Sequence, residues 1–165
     1  MTWRTDEEQR FVEQMGLAWE QEGVPRIAGR IFGFLLLQLH PCSLEDMASA
    51  LGVSKASIST DARCLERLGV VQRLGRPGDR RDFYAIAPDA PASTLAMRVE
   101  RMRRMKATVG DLDSLATDGT PPAVRARLRA FAEAHDQTVE ALERLIAQLR
   151  ALPAVSFPDH ATPAT

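Results

Sequence analysis

Apolar residues near the start of the chain recur with the period of an α-helix. They stand three or four positions apart, at Phe11, Val12, Met15 and Trp19. Thr5 and Glu8 have the spacing of a capping box, in which each side chain hydrogen-bonds the backbone of the other residue. Gly23 suits the helix end. The pattern therefore predicts a first amphipathic helix between Thr5 and Gly23.

The next segment, "PRIAGRIFGFLLLQLH" at residues 25–40, is apolar on most sides. Pro25 suits the first turn of a helix, because its missing N–H would have no partner there. A helix that is apolar all round is buried, so we expect this one to lie in the core. Gly29 and Gly33 stand four residues apart and permit a close crossing with another helix.

Two shorter helices follow, joined by a tight turn. Ser43 and Asp46 again have capping-box spacing, and Ser54 is placed to cap the second helix after the turn "GVS". The apolar positions form one stripe on each helix, at Leu44, Met47, Ala48 and Leu51, and then at Ile58, Ala62, Leu65 and Leu68. Two short helices around a glycine-containing turn are the helix-turn-helix pattern.

"VVQRL" and "FYAI" are predicted to be two strands after that motif. The segment between them, "GRPGDRRD" at residues 75–82, is expected to be a loop too long for a two-residue hairpin. A hairpin after a helix-turn-helix is a wing, whose tip passes beside the DNA backbone. The predicted fold class is therefore mainly α with a small β-hairpin wing.

The last part of the chain predicts further helices. Helical spacing runs from Leu95 to about Leu115, and the apolar residues between Val124 and Leu152 repeat every 3.5 positions. This repeat favours pairing with a second copy, and a monomeric helical cap is the alternative. We expect four regions: 1–24 and 89–152 for dimerisation, 25–88 for DNA binding and 153–165 as a disordered tail.

Charge separates along the chain, although the net charge is only −1. Residues 54–84 carry seven basic and four acidic side chains, a balance of +3, whereas residues 1–53 carry a balance of −4. The composition, with 45% hydrophobic and 26% charged residues, is that of a globular chain. A local positive patch on such a chain suits an anionic partner.

The second helix of the motif is predicted to read DNA in the major groove. Its outer face carries small or basic side chains: Lys55, Ala56, Ser57, Ser59, Thr60 and Arg63. The Ser54 end offers backbone N–H groups to a phosphate, and Asp61 is expected at the edge of the face. On the hairpin, the predicted DNA contacts are Arg73, Arg76, Arg80 and Arg81, with Asp79 paired to one of them.

The remaining chemistry-bearing residues predict no catalytic, metal or cofactor site. The three histidines share no ligand spacing, and the motifs GxGxxG, GxxxxGK[ST], GxSxG and HExxH do not occur. Cys42 and Cys64 are interpreted as small buried residues, with a redox switch as the alternative. Neither a signal peptide nor a membrane span is expected, so we predict a cytoplasmic protein with no membrane partner.

The central motifs also resemble a known family. "RIAGRIFGFLLL", "SLEDMASALGVSKASISTDARCLERLGVV" and "RPGDRRDFYAI" resemble the GbsR-like branch of the MarR winged-helix transcriptional regulators, over residues 10–87. The resemblance implies a homodimeric repressor on a pseudo-palindromic operator, and Asp79 and Arg81 match the family's DxR wing motif. It also implies a small-molecule effector, which in some members is a choline-type osmolyte.

Two questions remain open from the sequence. A winged helix can dock a protein instead of double-stranded DNA, although the small polar outer face favours DNA. A quaternary ammonium ligand would need an aromatic cage. The candidate residues, which core packing explains better, are Trp3, Phe11, Trp19, Phe32 and Phe34. We assign no effector residue.

Overall fold

The structure is a computed structural model that describes residues 5–109 and 119–152. Its elements are α1 (Asp6–Gln21), α2 (Arg26–Leu36), β1 (Cys42–Ser43), α3 (Leu44–Leu51), α4 (Lys55–Arg67), β2 (Val71–Arg76), β3 (Asp79–Ile86), α5 (Ala90–Val109) and α6 (Pro122–Arg150). The chain divides into two compact units at Ala90. The predicted tail, Trp3 and the end of the helix expected to reach Leu115 lie outside the described residues.

Helices α1 and α2 cross closely, as the glycine spacing predicted. A Cβ added at Gly29 would lie 2.7 Å from the carbonyl oxygen of Met15, and one at Gly33 would lie 2.9 Å from the Met15 Cβ. The Trp19 and Phe32 rings pack with centroids 4.6 Å apart, and both residues belong to the buried core. These two aromatic residues therefore serve as core side chains.

Burial of α2 is incomplete at its end. The helix stops at Leu36, earlier than the apolar run suggested, and Leu36 and Leu39 are exposed. The earlier part, including Ile31 and Leu35, is buried as expected.

The two helices of the helix-turn-helix begin at the predicted caps. The Ser43 hydroxyl accepts the Asp46 N–H at 3.2 Å, and the Asp46 carboxylate accepts the Ser43 N–H at 3.0 Å, which completes the capping box. The Ser54 hydroxyl accepts the Ser57 N–H at 3.2 Å. Between the helices, Gly52 has φ of 65°, a left-handed conformation that glycine adopts without a Cβ clash. The turn is thus set by local side chains.

The inward stripe of α4 is largely as predicted, with one correction. Ile58, Ala62 and Leu65 are fully buried, whereas Leu68 is half-buried. Asp61 is not at the edge of the outer face, because it is only 9% exposed and turns toward the core. Burial raises its pKa, since a charged carboxylate loses solvation there.

The three strands form an antiparallel sheet in the order β1-β3-β2. The prediction of a long loop between the two wing strands is wrong. Both strands extend through the arginine-rich segment, Arg76 pairs with Asp79, and the turn contains only Pro77 and Gly78. Gly78 has φ of 79°, and Pro-Gly is the pair favoured at the centre of a type II turn. An irregularity in the pairing between Leu74 and Arg76 accommodates the extra residues of β3.

The second unit is built on helices α5 and α6. Ala92, Val99 and Ile146 form its buried core, with the surrounding half-buried side chains Leu95, Ala96, Val139, Leu142 and Leu149. Lys106 pairs with Asp136 at 2.6 Å and Arg103 pairs with Glu143, so ion pairs also join the two helices. α6 begins with Pro122 in its first turn, and α5 begins at Ala90, five residues before the predicted helical spacing starts at Leu95.

Candidate nucleic-acid interface

The N-terminal end of α4 is exposed and carries hydroxyl groups and a lysine. Ser54, Lys55 and Ala56 are exposed, and Ser57 is half-buried. The Ser54 hydroxyl is occupied as a cap, while the first N–H groups of the helix point outward from its positive end. The Lys55 ammonium pairs with Glu45 of α3, so a phosphate that binds here must compete with that carboxylate. This end can hold an anion.

Further along α4, the outer face stays small until Arg63. Ser59 is half-buried, and the Thr60 hydroxyl donates to the Ala56 carbonyl at 3.1 Å, which leaves its methyl group and oxygen lone pairs exposed. The Arg63 side chain is exposed and makes no hydrogen bond or ion pair within the described residues. A groove floor can therefore approach the helix closely, and the Arg63 guanidinium has its donors available.

Two of the predicted wing arginines are already engaged within the fold. Arg73 lies between Glu66, at 3.6 Å, and Asp82, at 3.4 Å. Arg76 donates to the carbonyl of Pro41 at 3.3 Å and stacks over the Phe83 ring, with 3.9 Å between its Cζ and the ring centroid. Their charges remain on the surface, but their geometry is set by protein groups.

The other two arginines lie beside the turn at the tip. Arg81 donates from Nε at 3.0 Å and from Nη2 at 2.6 Å to the Asp79 carboxylate, so the predicted pairing of Asp79 with an arginine is confirmed. These hydrogen bonds lower the pKa of Asp79 to about 2, and the same pair raises the pKa of Arg81. Arg80 is exposed and has no ion pair within the described part of the chain.

The sequence reasoning missed Glu45, which pairs with Lys55 at the start of α4. Its hydrogen bond from Lys55 is the main cause of its lowered pKa, and the charge of Arg81 lowers that pKa further. The Glu45 carboxylate therefore binds the first residue of α4 directly and lies within electrostatic range of Arg81 on the wing. Only its position at the start of α3, facing the next helix, could have indicated this role.

The cysteines do not form a pair. Cys42 is buried and donates its S–H to the His40 carbonyl at 3.4 Å, and Cys64 is half-buried. Burial is the main cause that raises the pKa of Cys42 to about 11. Across residues 5–109 and 119–152, no group of three or more His, Cys, Asp or Glu side chains is placed to hold a metal ion. No helix in those ranges is long and apolar enough to cross a membrane.

Comparison with known proteins places the same region in a regulator family. The sequence model of the MarR family matches residues 34–83, from the end of α2 into β3. The HTH-type transcriptional regulator MmpR5 of Mycobacterium tuberculosis is 38% identical over 120 residues, which are 72% of each chain. The HTH-type transcriptional repressor OpcR of Bacillus subtilis is 24% identical over 82 residues, 50% of this chain and 44% of its own. A crystal structure of a transcriptional regulator covers 88% of this chain and 99% of its own, with 31% identity and a TM-score of 0.65.

Proposed function

Because this chain belongs to the MarR family of DNA-binding transcriptional regulators, we propose that it is a homodimeric repressor of a pseudo-palindromic operator. Each protomer inserts α4 into a major groove and places the tip of its wing beside the backbone of the flanking DNA. The observation that carries this proposal is the small, polar, exposed face of α4 next to an arginine-bearing hairpin. We further assign the chain to the GbsR-like branch, on the resemblance of its central motifs.

DNA explains the surface of α4 better than a protein partner does. A docking site for a protein would be expected to expose apolar or acidic side chains at its centre. Here the exposed positions are Lys55, Ala56, Thr60, Arg63 and Arg67. Of the two acidic residues of the helix, Asp61 is turned inward, and half-buried Glu66 pairs with Arg73 at 3.6 Å. We further propose that the protein acts on DNA in the cytoplasm, without catalytic activity or a cofactor.

The two elements have different tasks in this proposal. Ser57, Thr60 and Arg63 lie where side chains of a recognition helix meet base edges, so they supply sequence discrimination. Arg80 and Arg81 act through charge and groove shape, since a hairpin tip reaches phosphates or a narrow minor groove. Within this scheme the Asp79 carboxylate holds the Arg81 guanidinium in one orientation.

Dimerisation places two such surfaces on one operator. The 3.5-residue repeat of α6 separates into two faces in the structure. Val139, Leu142, Ile146 and Leu149 pack with α5 inside the second unit, while Phe131, Leu145 and Leu152, seven or fourteen positions apart, are exposed. A seven-residue spacing keeps side chains on one helix face, and that apolar face suits a second copy. A small-molecule effector that releases the dimer from DNA completes the proposal, without an assigned site.

The test measures binding to an operator selected from genomic DNA and to a random duplex, over a series of salt concentrations. Thr60→Ala and Arg63→Ala should each reduce discrimination by about 1–3 kcal/mol while keeping most of the salt dependence. Arg80→Ala should weaken both duplexes alike and lower the slope of log K against log salt by roughly one unit. Arg81→Ala should also weaken both duplexes.

The matched control is Arg26→Ala, which removes one positive charge from the exposed start of α2, outside the proposed interface and the regions expected to dimerise, while Glu13 keeps its ion pair with Arg30. It should leave both affinities within about twofold of the parent, because exposed charges farther than a Debye length away are screened. A parent protein that binds neither duplex in low salt would contradict the proposed function. Unchanged binding by the Arg80 and Arg81 variants would show that the wing takes no part in DNA binding.

A further inference from the structure

Arg76 was predicted to contact DNA, but its guanidinium is directed at the protein. One Nη donates to the carbonyl of Pro41 at 3.3 Å, and the planar group lies 3.9 Å from the centroid of the Phe83 ring. We propose that Arg76 is a positioning residue that fixes the angle of the wing against the helix-turn-helix, and that it acts on DNA only through Arg80 and Arg81. This inference rests on the proposed contact between the wing and DNA.

Both partners of Arg76 belong to the rigid base of the domain. Phe83 is only 3% exposed and pairs with Leu74 of β2 on one side and with Ser43 of β1 on the other. Ser43 is also the cap of α3, the first helix of the motif. Pro41 is buried and immediately precedes β1. Arg76 thus connects the last residue of β2 to the strand from which the helix-turn-helix starts.

The tip of the wing has few other contacts that could hold it. Residues 75–82 are exposed except for half-buried Asp79, and a two-stranded ribbon beyond its sheet is only marginally stable in water. The Asp79–Arg81 pair spans two residues of the same strand, so it orders the tip internally without connecting it to the base. The stacking and hydrogen bond of Arg76 supply that connection.

The chemistry of arginine suits this role. A guanidinium presents a flat face to an aromatic ring while its edge donates hydrogen bonds, which an ammonium group cannot do together. The Arg81 guanidinium lies 5.3 Å from the same ring, so Phe83 also relates the position of the DNA-facing arginine to that of Arg76. A shift of the Arg76 side chain would therefore displace the wing tip from its place on the DNA.

A double-mutant cycle tests the proposal, because residues that act through one another give non-additive effects. Operator affinity is measured for Arg76→Gln in the parent and in the Arg80→Ala/Arg81→Ala background. We expect a loss of about tenfold in the parent, the equivalent of about 1.4 kcal/mol, and a loss under about twofold when the two tip arginines are absent. The salt slope of the tip-less background should not change on adding Arg76→Gln.

Two controls make the result specific. Arg26→Gln changes the net charge equally at an exposed position at the start of α2, outside the regions expected to dimerise, and should alter affinity by less than about twofold, because its partner Glu13 keeps an ion pair with Arg30. Thermal melting should show that Arg76→Gln is folded, as expected for an exposed side chain. Hydrogen exchange of the backbone amides of residues 74–81 other than Pro77 should become faster in the free variant.

The outcomes separate this inference from the function on which it rests. Equal losses for Arg76→Gln in both backgrounds, with a salt slope lowered by about one unit in each, would show a direct phosphate contact and overturn the positioning role. Unchanged affinity of the Arg80→Ala/Arg81→Ala protein would instead show that the wing does not touch DNA, and would overturn both proposals.

Discussion

Replacing Gly29 by alanine should destabilise the DNA-binding unit, although alanine is the better helix former. At Gly29 the new Cβ would lie 2.7 Å from the Met15 carbonyl oxygen, 2.7 Å from the Trp19 Cβ and 3.0 Å from the Gly16 Cα. Backbone atoms and a Cβ cannot rotate away, so α1 and α2 must move apart. The substitution therefore forces a change in the packing of the two helices.

The magnitude follows from two opposing effects. Overpacking a well-filled contact costs typically 1–3 kcal/mol, and contact with backbone atoms places this site near the upper end, at about 3 kcal/mol. The gain in helix propensity from glycine to alanine offsets about 1 kcal/mol of that. The net loss is about 2 kcal/mol, which for a chain of this length lowers Tm by roughly 4–8 °C.

Thermal and urea denaturation followed by circular dichroism measure this loss. Gly119→Ala is the control, because a Cβ there would meet nothing within 4 Å and its melting temperature should hardly change. Gly33→Ala should be intermediate, since its contacts are longer than those at Gly29: 2.9 Å to the Met15 Cβ, 3.1 Å to the Met15 Cγ and 3.4 Å to the Val12 Cα. A Gly29→Ala protein as stable as the parent, or more stable, would refute the close crossing of α1 and α2.

Three other predictions concern assembly, thiol chemistry and pH. Light scattering should give a mass of twice the 18.2 kDa of one chain. The double variant Phe131→Glu/Leu145→Glu, which places charges on the exposed face of α6, should give the mass of a single chain. A parent protein that is monomeric at micromolar concentration would contradict the dimer. Cys42 has a pKa near 11, which leaves about one thiolate in a thousand at pH 8. It should therefore react with iodoacetamide far more slowly in the folded protein than in the unfolded chain. Release from DNA on adding peroxide, abolished by Cys42→Ala, would contradict this prediction of an unreactive thiol. Burial raises the Asp61 pKa above its ordinary 3.8, so the native state binds this proton more tightly than the unfolded chain does. The free energy of unfolding therefore falls as the pH rises from about 3.8 through the raised pKa of the native state. Asp61→Asn should therefore raise Tm at pH 7 and give little gain below about pH 3.8, and an equal gain at both pH values would refute the assignment.

The sequence determined the helix boundaries of the motif because capping is local. Ser43 and Ser54 accept hydrogen bonds from backbone groups three residues later, so the interaction is complete within one turn. The buried stripe of α4 could also be predicted from the sequence, since side chains three and four positions apart share a face of the helix whatever that helix packs against. The small outer face, on which the DNA proposal depends, consists of the α4 residues that do not belong to that stripe.

The wing turn shows where local pattern was insufficient. Arginines and aspartates beside Pro77 and Gly78 are typical of a loop, and this local pattern predicts a loop over residues 75–82. In the structure the polar residues continue both strands, because cross-strand hydrogen bonds do not require apolar side chains when both faces are exposed. β3 is further held by β1, through the pairing of Tyr84 with Cys42, a partner far away in sequence.

The sequence by itself determined that basic residues would lie on the wing and on the outer face of α4. The positions of charged residues and the periodicity of a helix can both be deduced from the order of residues. Only the tertiary structure decided which of those cationic side chains bind groups within the protein. Arg76 finds its acceptor at Pro41, 35 positions earlier, and Lys55 finds its carboxylate on the preceding helix. Such contacts depend on how separate elements pack, and the spacing of residues within one element carries no information about the group that will lie opposite.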